Sequence, residues 1–387
     1  MDRDPLSPDF TLLQVVPRLD GGGVEAVTLE IGRAVAAAGA RSLVASRGGA
    51  LEGRLALEGS ALVRLPMDSR SPPTLVSNAL RLARIIRGER VSLVHVRSRA
   101  PAFSALWAAR AARVPIVATY HGIYASGSPV KRWYNGVMTR GDLTIANSDF
   151  THRHVLAEHR IDPERLAVAP EGVDTDEFDP AQVSPERVAA QRAAWGLAAD
   201  GEFPVVLQAA RLTGWKGQGV MIEALRLTDP GRRITLVLAG RPEGRGGDAA
   251  LRDAAAAAGL ADRVRIVGPA ADMPAAYLAA DVVVAPSIAA ESFGRAVVEA
   301  CAMARPVIAS DLGASAETVA DGESGWLAPP GDAPAWARMM EAVLDLPAAT
   351  RRQIGAKARA RAIGLYSLPA MCAAHFALYR DLVEGRR

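Results

Sequence analysis

Two carboxylates, Glu291 and Glu299, stand with seven residues between them in the stretch VVVAPSIAAESFGRAVVEACAMARPVIASDL, which runs from Val282 to Leu312. The pattern predicts a buried strand over 282–285, a polar loop over 287–294, a helix over about 295–303 and a second buried strand over 306–309. Gly294 falls where the loop enters the helix, so a ligand can approach the backbone there. Free N–H groups at a helix start attract anions, phosphate above all. A carboxylate repels phosphate but accepts hydrogen bonds from hydroxyls. Anion-binding amides between two hydroxyl acceptors point to a sugar and a ribose joined by a diphosphate, that is, a sugar nucleotide. The plainer reading makes both glutamates solvated helix-end charges. Against it stand the unusual loop Ala290-Glu291-Ser292-Phe293-Gly294 and a second turn-rich segment after the next strand, with Ser315, Glu317, Asp321-Gly322 and Gly325.

Other residues could serve the same ligand. Arg211-Leu212-Thr213-Gly214-Trp215-Lys216-Gly217 follows a predicted strand. An arginine and a lysine at this spacing can meet one diphosphate from two sides. A solvated basic loop is the alternative, made weaker by Trp215 and the glycines. His121, in Thr119-Tyr120-His121-Gly122, sits at a strand's carboxyl end, where α/β proteins bind ligands. Hydrogen bonding to a nearby loop is its structural alternative. Gly21-Gly22-Gly23 after the first strand permits close backbone approach, as a phosphate or substrate loop or as a flexible turn, and it is not the G-x-G-x-x-G dinucleotide fingerprint. His152, His154 and His159 lie along one predicted helix, and their spacing is no evidence for zinc. No Asp-x-Asp cluster reads as suited to hold a metal, so chemistry without a metal is expected.

Positioning these groups takes more than one core. The chain has 387 residues, half of them hydrophobic and 22% charged, which suggests two or three soluble domains. A net charge of +3 gives no reason to expect nucleic acid. Cys301 and Cys372 lie in apolar helical contexts and read as buried thiols in a reducing compartment. The start, MDRDPLSPDF, is unlike a signal peptide, and no apolar run nears the ~18 residues that span a bilayer. A cytoplasmic protein is expected, with attachment to the inner face of the membrane as the most it could have. Strands are expected at 10–16, 42–45, 61–65, 93–96, 116–119 and 142–146, with a short one near 168. After a linker over about 178–202 carrying a helix, a second alternation has strands at 204–208, 234–239, 264–267, 282–285 and 306–309. The reading is α/β, two doubly wound domains in tandem, ending in an amphipathic helix over about 368–382.

Taken together, Arg211 through Lys216, Glu291-Ser292-Phe293-Gly294 with Glu299, and Pro170-Glu171-Gly172-Val173-Asp174 resemble the retaining GT-B glycosyltransferases of family 4. His121 and Gly22-Gly23-Val24-Glu25 are similar to that family's N-terminal pattern, and the likeness covers almost the whole chain. It implies two Rossmann-like domains facing a deep cleft: an acceptor-side domain over 1–180, a donor domain over 181–365, and a last helix, 366–387, packed back on the first domain. It implies that Arg211 and Lys216 bind the diphosphate, Glu299 accepts the ribose hydroxyls and Glu291 contacts the transferred sugar. Ser292 and the Phe293, Gly294 and Arg295 backbone would meet sugar and phosphate, and Gly268 and Met273 would lie near the nucleobase. Gly22 and Gly23 would face the donor, and His121 would orient the sugar. The leaving diphosphate gains negative charge, which Arg211, Lys216 and the helix amides would stabilise. No cofactor is implied, the nucleotide-diphosphate sugar being a co-substrate. Configuration would be retained, with a phosphate oxygen taking the acceptor's proton and Glu291 not acting as a nucleophile.

Residues 95–101 (HVRSRAP) lean the resemblance toward bacterial lipopolysaccharide core or related polysaccharide assembly, with a glycan or lipid-linked acceptor. Arg97-Ser98-Arg99 reads either as an anion site or as surface charge. Lys131-Arg132-Trp133-Tyr134 reads as a lipid or anionic-acceptor contact, or as a solvated helix face with a packed tryptophan. Competing functions are a sugar-nucleotide 2-epimerase of similar architecture, which the paired glutamates disfavour, and a non-catalytic sugar-nucleotide binding module. A nicotinamide-dependent oxidoreductase is weakest, lacking the fingerprint.

Overall fold

Runs such as TLVLA and VVVA have no polar face to give to water, so they form strands buried on both sides of a parallel sheet. The computed structural model describes residues 6–124, 127–198, 203–244 and 246–386. A first sheet holds β1 (Thr11–Val15), β2 (Arg41–Ser46), β3 (Ser60–Arg64), β4 (Leu93–Val96), β5 (Ile116–Tyr120), β6 (Leu143–Ala146) and β7 (Leu166–Val168), in the order β3-β2-β1-β4-β5-β6-β7. A second holds β8 (Val205–Ala209), β9 (Thr235–Ala239), β10 (Val264–Val267), β11 (Val282–Ala285), β12 (Val307–Ser310) and β13 (Trp326–Ala328), in the order β10-β9-β8-β11-β12-β13. Pairing is parallel throughout. The chain divides into two units: the described residues up to Gly172 with those from Leu368 onward, and Val173–Ser367.

Each sheet is covered on both faces, because successive side chains of a strand point opposite ways. In the first unit Leu13, Val15, Val94, Val96 and Ala118 pack with Leu82, Ile86 and Ala105 of the helices Pro72–Gly88 and Arg99–Ala112. The alternate residues Leu12, Leu93 and Val117 pack with Val27 and Ile31 of the helix Gly23–Ala37. Met371, Cys372, Leu378 and Tyr379 of the last helix, Leu368–Val383, join that second cluster. The second unit repeats the plan, with Val205, Leu207 and Val283 facing one way and Val206, Val282 and Val284 the other. Cys301 and Cys372 are free and buried. Among the described residues no helix is long and apolar enough to cross a membrane.

Both sheets reverse direction once. β1 lies between β2 and β4, and β8 between β9 and β11. Connections leaving the two central strands at such a point run to opposite faces, which opens a crevice at the carboxyl ends. The glycine run follows β1 and Arg97 follows β4; the Arg211–Lys216 loop follows β8 and the Glu291 loop follows β11.

The interior of the first unit also holds polar groups. His95 is bonded at both ring nitrogens, Nδ1 to the Tyr379 hydroxyl (2.6 Å) and Nε2 to the Thr119 hydroxyl (2.7 Å). The ring of His375 stacks on it, with Nδ1 2.9 Å from the Met371 carbonyl oxygen. Burial holds His95 well below its ordinary range and pushes His375 down to about 3, in both cases helped by the positive charge of Arg97. Between pH 6.5 and 3 the unfolded chain therefore binds a proton at His375 that the folded chain does not, so stability falls as pH falls. The expected loss from His375 at pH 4.5 is on the order of 2–3 kcal/mol. Urea titrations at pH 7 and 4.5 check this: His375→Leu should show a smaller difference between the two pH values than the parent.

Candidate active site

Lys216 is held by its own backbone before its side chain does anything. It ends a short 3-10 turn, Gly214–Lys216, entered through extended Thr213. The buried Gln208 side chain at the end of β8 donates to the Lys216 carbonyl (2.7 Å), and buried Gln218 donates to the Arg211 carbonyl (2.9 Å). Gly217 then turns the chain with φ 75°, and a Cβ there would lie 1.9 Å from the Pro286 carbonyl oxygen. Only glycine lets the two loops touch at this point.

From that platform the Lys216 ammonium reaches Glu291 Oε2 at 2.7 Å, both side chains being 16% exposed. It also lies 4.5 Å from the centre of the Trp215 ring. Ser287 donates its hydroxyl to the other Glu291 oxygen, and the Ile288 N–H bonds the Trp215 carbonyl at 2.8 Å. Lys216, Ser287, Glu291 and Gly294 line one small recess. Gly294 has the left-handed φ of 86° and directly precedes the helix Arg295–Ala302. Ser292 beside it is half-buried. Phe293 turns inward, edge-on to Tyr366, so only its backbone is offered to a ligand. Arg211 is exposed, with its guanidinium 5.9 Å from the Trp215 ring centre.

Glu299, about one turn along the helix, is braced differently. Arg295 Nε donates to Oε1 (3.0 Å), and the hydroxyl of fully buried Tyr277 donates to Oε2 (2.9 Å). Burial first, then the Glu299 charge, pushes the Tyr277 hydroxyl well above its ordinary range, so it remains a donor. Glu299 and Met273 border a pocket of about 900 Å³, with Phe178, Gln182 and the ion pair Arg187–Asp272 (2.7 Å). Asp272 also caps the helix Met273–Leu278 by accepting from the Ala275 N–H. Gly268 is exposed just after β10 and is not among the residues lining that pocket.

In the first unit, Gly22 and Gly23 form the start of the first helix. His121 lies one residue past β5, its side chain 3% exposed, with Nδ1 2.8 Å from Glu171. Arg97 is an interior group and not surface charge. It is 1% exposed, and its Nε donates to Gln14 (2.9 Å). Lys131 and Arg132 are exposed on the helix Pro129–Asn135, and Trp133, 59% exposed, rests one face on Phe103. Among the described residues no group of three or more His, Cys, Asp or Glu is arranged to hold a metal. Ser287, Gln208, Gln218 and Tyr277 were not singled out from the sequence. The two glutamines could have been suspected, since a buried strand-end or helix-start amide needs a partner.

Residues 191–361 match the family described as Glycosyl transferases group 1, and residues 21–177 that described as Glycosyltransferase Family 4. The chain belongs to the group 1 glycosyltransferases of family 4. It is 36% identical over 267 residues to the D-inositol 3-phosphate glycosyltransferase of Kineococcus radiotolerans, a match covering 65% of this chain and 59% of that protein. The chain thus spans little more than half the length of the curated relatives it matches. A glycosyltransferase from Rickettsia africae aligns over 97% of this chain and 99% of its own, with TM-score 0.89 and 30% identity. Anabaena HepE, solved with UDP and glucose, aligns over 96% of this chain and 100% of its own, with TM-score 0.84 and 24% identity. The two Rossmann-like domains are those of the GT-B fold.

Because Gly217 carries the lysine, Gly217→Ala should cost about 2–3 kcal/mol through the positive φ and the lost loop contact. Thermal melts check the cost, and a structure of the variant should show Lys216 drawn away from Glu291.

Proposed function

We propose that the chain is a retaining, metal-independent glycosyltransferase that moves a sugar from a nucleotide-diphosphate donor to a glycan or lipid-linked acceptor. The observation that carries this reading is the Lys216–Glu291 pair at 2.7 Å, set beside the helix start at Gly294 and the β8–β11 switch point. Cation, helix-start amides and hydroxyl acceptor stand together where an open α/β sheet binds its ligand.

Lys216, Arg211 and the amides at Gly294 and Arg295 take the diphosphate. Glu291 accepts from hydroxyls of the transferred sugar. Glu299, held by Arg295 and Tyr277, accepts from the ribose, with Met273 and Gly268 toward the base. As the bond from the anomeric carbon to the phosphate oxygen breaks, the electron pair leaves on the diphosphate, where the cations stabilise it. The acceptor oxygen attacks the same face of that carbon and gives its proton to a phosphate oxygen, so the configuration is kept. His121 touches the sugar without relaying a proton. The acceptor belongs to bacterial lipopolysaccharide core or surface-polysaccharide assembly, supported by the HVRSRAP stretch. The exposed Lys131, Arg132 and Trp133 support work at the inner membrane surface.

A thermal-shift screen of UDP, GDP, ADP and their sugars tests the donor site. A ligand at a hundred times its Kd stabilises by about 2.7 kcal/mol. The matching nucleotide should shift the parent, and Arg211→Ala and Lys216→Ala should each abolish the shift. A normal shift in both variants would remove the diphosphate assignment. Product made from an α-linked donor should show an α anomeric proton signal, with turnover unchanged by EDTA.

A further inference from the structure

Four consecutive parallel strands of the first sheet each deliver one polar residue to a shared point beyond their carboxyl ends. Arg97 follows β4, His121 follows β5, Asn147 follows β6 and Glu171 follows β7. Arg97, Asn147 and Glu171 are buried, and the His121 side chain is 3% exposed. Their contacts form one chain. Thr151 donates its hydroxyl to Asn147 Oδ1 (2.9 Å), which fixes the amide so that Nδ2 faces away from Thr151. Asn147 Nδ2 donates to Glu171 Oε1 (2.8 Å), and His121 Nδ1 meets the same oxygen at 2.8 Å. On the other side of the imidazole, Arg97 places its guanidinium 3.4 Å from Nε2.

The two sides of the ring make the same demand. A carboxylate oxygen only accepts, so Nδ1 must carry the proton. A guanidinium only donates, so Nε2 must be bare. An imidazolium would set an Nε2–H against a cation. Burial and Arg97 lower the affinity of His121 for a second proton, and together they outweigh the Glu171 carboxylate, which raises it.

We propose that Glu171 is a positioning residue: with Arg97 opposite, it locks His121 as the neutral Nδ1–H tautomer, so that Nε2 acts only as a hydrogen-bond acceptor, which a hydroxyl of the bound sugar takes over from the long Arg97 contact. The last clause rests on the reading of His121 under Proposed function, whereas the tautomer does not. An acceptor nitrogen favours sugars that present a hydroxyl there over sugars that present a carboxylate, and it leaves His121 unsuited to shuttle protons.

The test is a long-range proton–nitrogen correlation spectrum of the full chain carrying 15N-histidine, assigned with His121→Gln. The parent should show His121 protonated at Nδ1 and bare at Nε2 from pH 6 to 8. Glu171→Gln, whose amide oxygen still accepts, should keep that form. Glu171→Leu combined with Arg97→Gln, which removes both constraints, should shift the population toward the Nε2–H tautomer. With the nucleotide sugar that the thermal screen selects, Glu171→Leu should lower kcat/KM about ten-fold, the worth of one misplaced hydrogen bond, while Glu171→Gln should lose less than about three-fold. An Nε2-protonated His121 ring in the parent overturns the proposal, and that spectrum depends on no Glu171 variant folding. An unchanged tautomer in a folded double variant overturns it equally. The expected spectra in a protein that turns over no donor would support the lock and count against the transferase reading alone.

Discussion

An ammonium that keeps only 16% of its side-chain exposure needs a counter-charge, and Lys216 has one in Glu291. Partly desolvated charges of opposite sign hold each other more firmly than a surface pair, because less water screens them. The pair also joins two loops that leave neighbouring strands, β8 and β11. Around it the structure removes slack. Gln208 holds the Lys216 carbonyl, Ser287 takes the second Glu291 oxygen, and the bare backbone of Gly217 lets Pro286 close in. A lysine so placed loses little further freedom when it meets an anion, and this preorganisation makes a cation effective against charge that develops during a reaction.

The same logic recurs at the other sites. Glu299 has a donor on each oxygen, from Arg295 and Tyr277. Glu171 receives Asn147 and His121 on one oxygen. In the three cases a carboxylate at the end of a parallel sheet is oriented by neighbours that are themselves buried or anchored. Parallel strands explain the recurrence. Their carboxyl ends all open to one edge, so residues far apart in sequence, such as His121 and Glu171, arrive side by side.

Much of the fold was legible because parallel strands are short apolar runs. Val264–Val267, Val282–Ala285 and Leu93–Val96 are read from the sequence at their observed bounds, and the helix over 368–382 lies within one residue of Leu368–Val383 at its end. Less could be read from segments whose burial follows no apolar pattern. The helix Ala348–Tyr366 buries Gly355, Ala358 and Ala362, small residues that carry no hydrophobic stripe, and β13 is only three residues long. Around the candidate site, Lys216 and Glu291 stood out as charges in glycine-bounded loops. Ser287, Gln208 and Tyr277 did not, since a hydroxyl or amide reveals its partner only when the fold brings it near. Arg97 is the clearest case. In sequence it looks like one of two arginines in a basic tripeptide, and only the strand order shows it reaching inward to Gln14 and His121.

In the proposed reaction the second domain grips a diphosphate between cations and helix amides while two carboxylates take the flanking hydroxyls. A crystal structure with the intact nucleotide sugar measures this directly. Phosphate oxygens are expected within hydrogen-bond distance of Lys216 Nζ and of the backbone amides at Gly294 and Arg295, with sugar hydroxyls on Glu291 and ribose hydroxyls on Glu299. A diphosphate bound away from Lys216, with neither glutamate touching a hydroxyl, would contradict it.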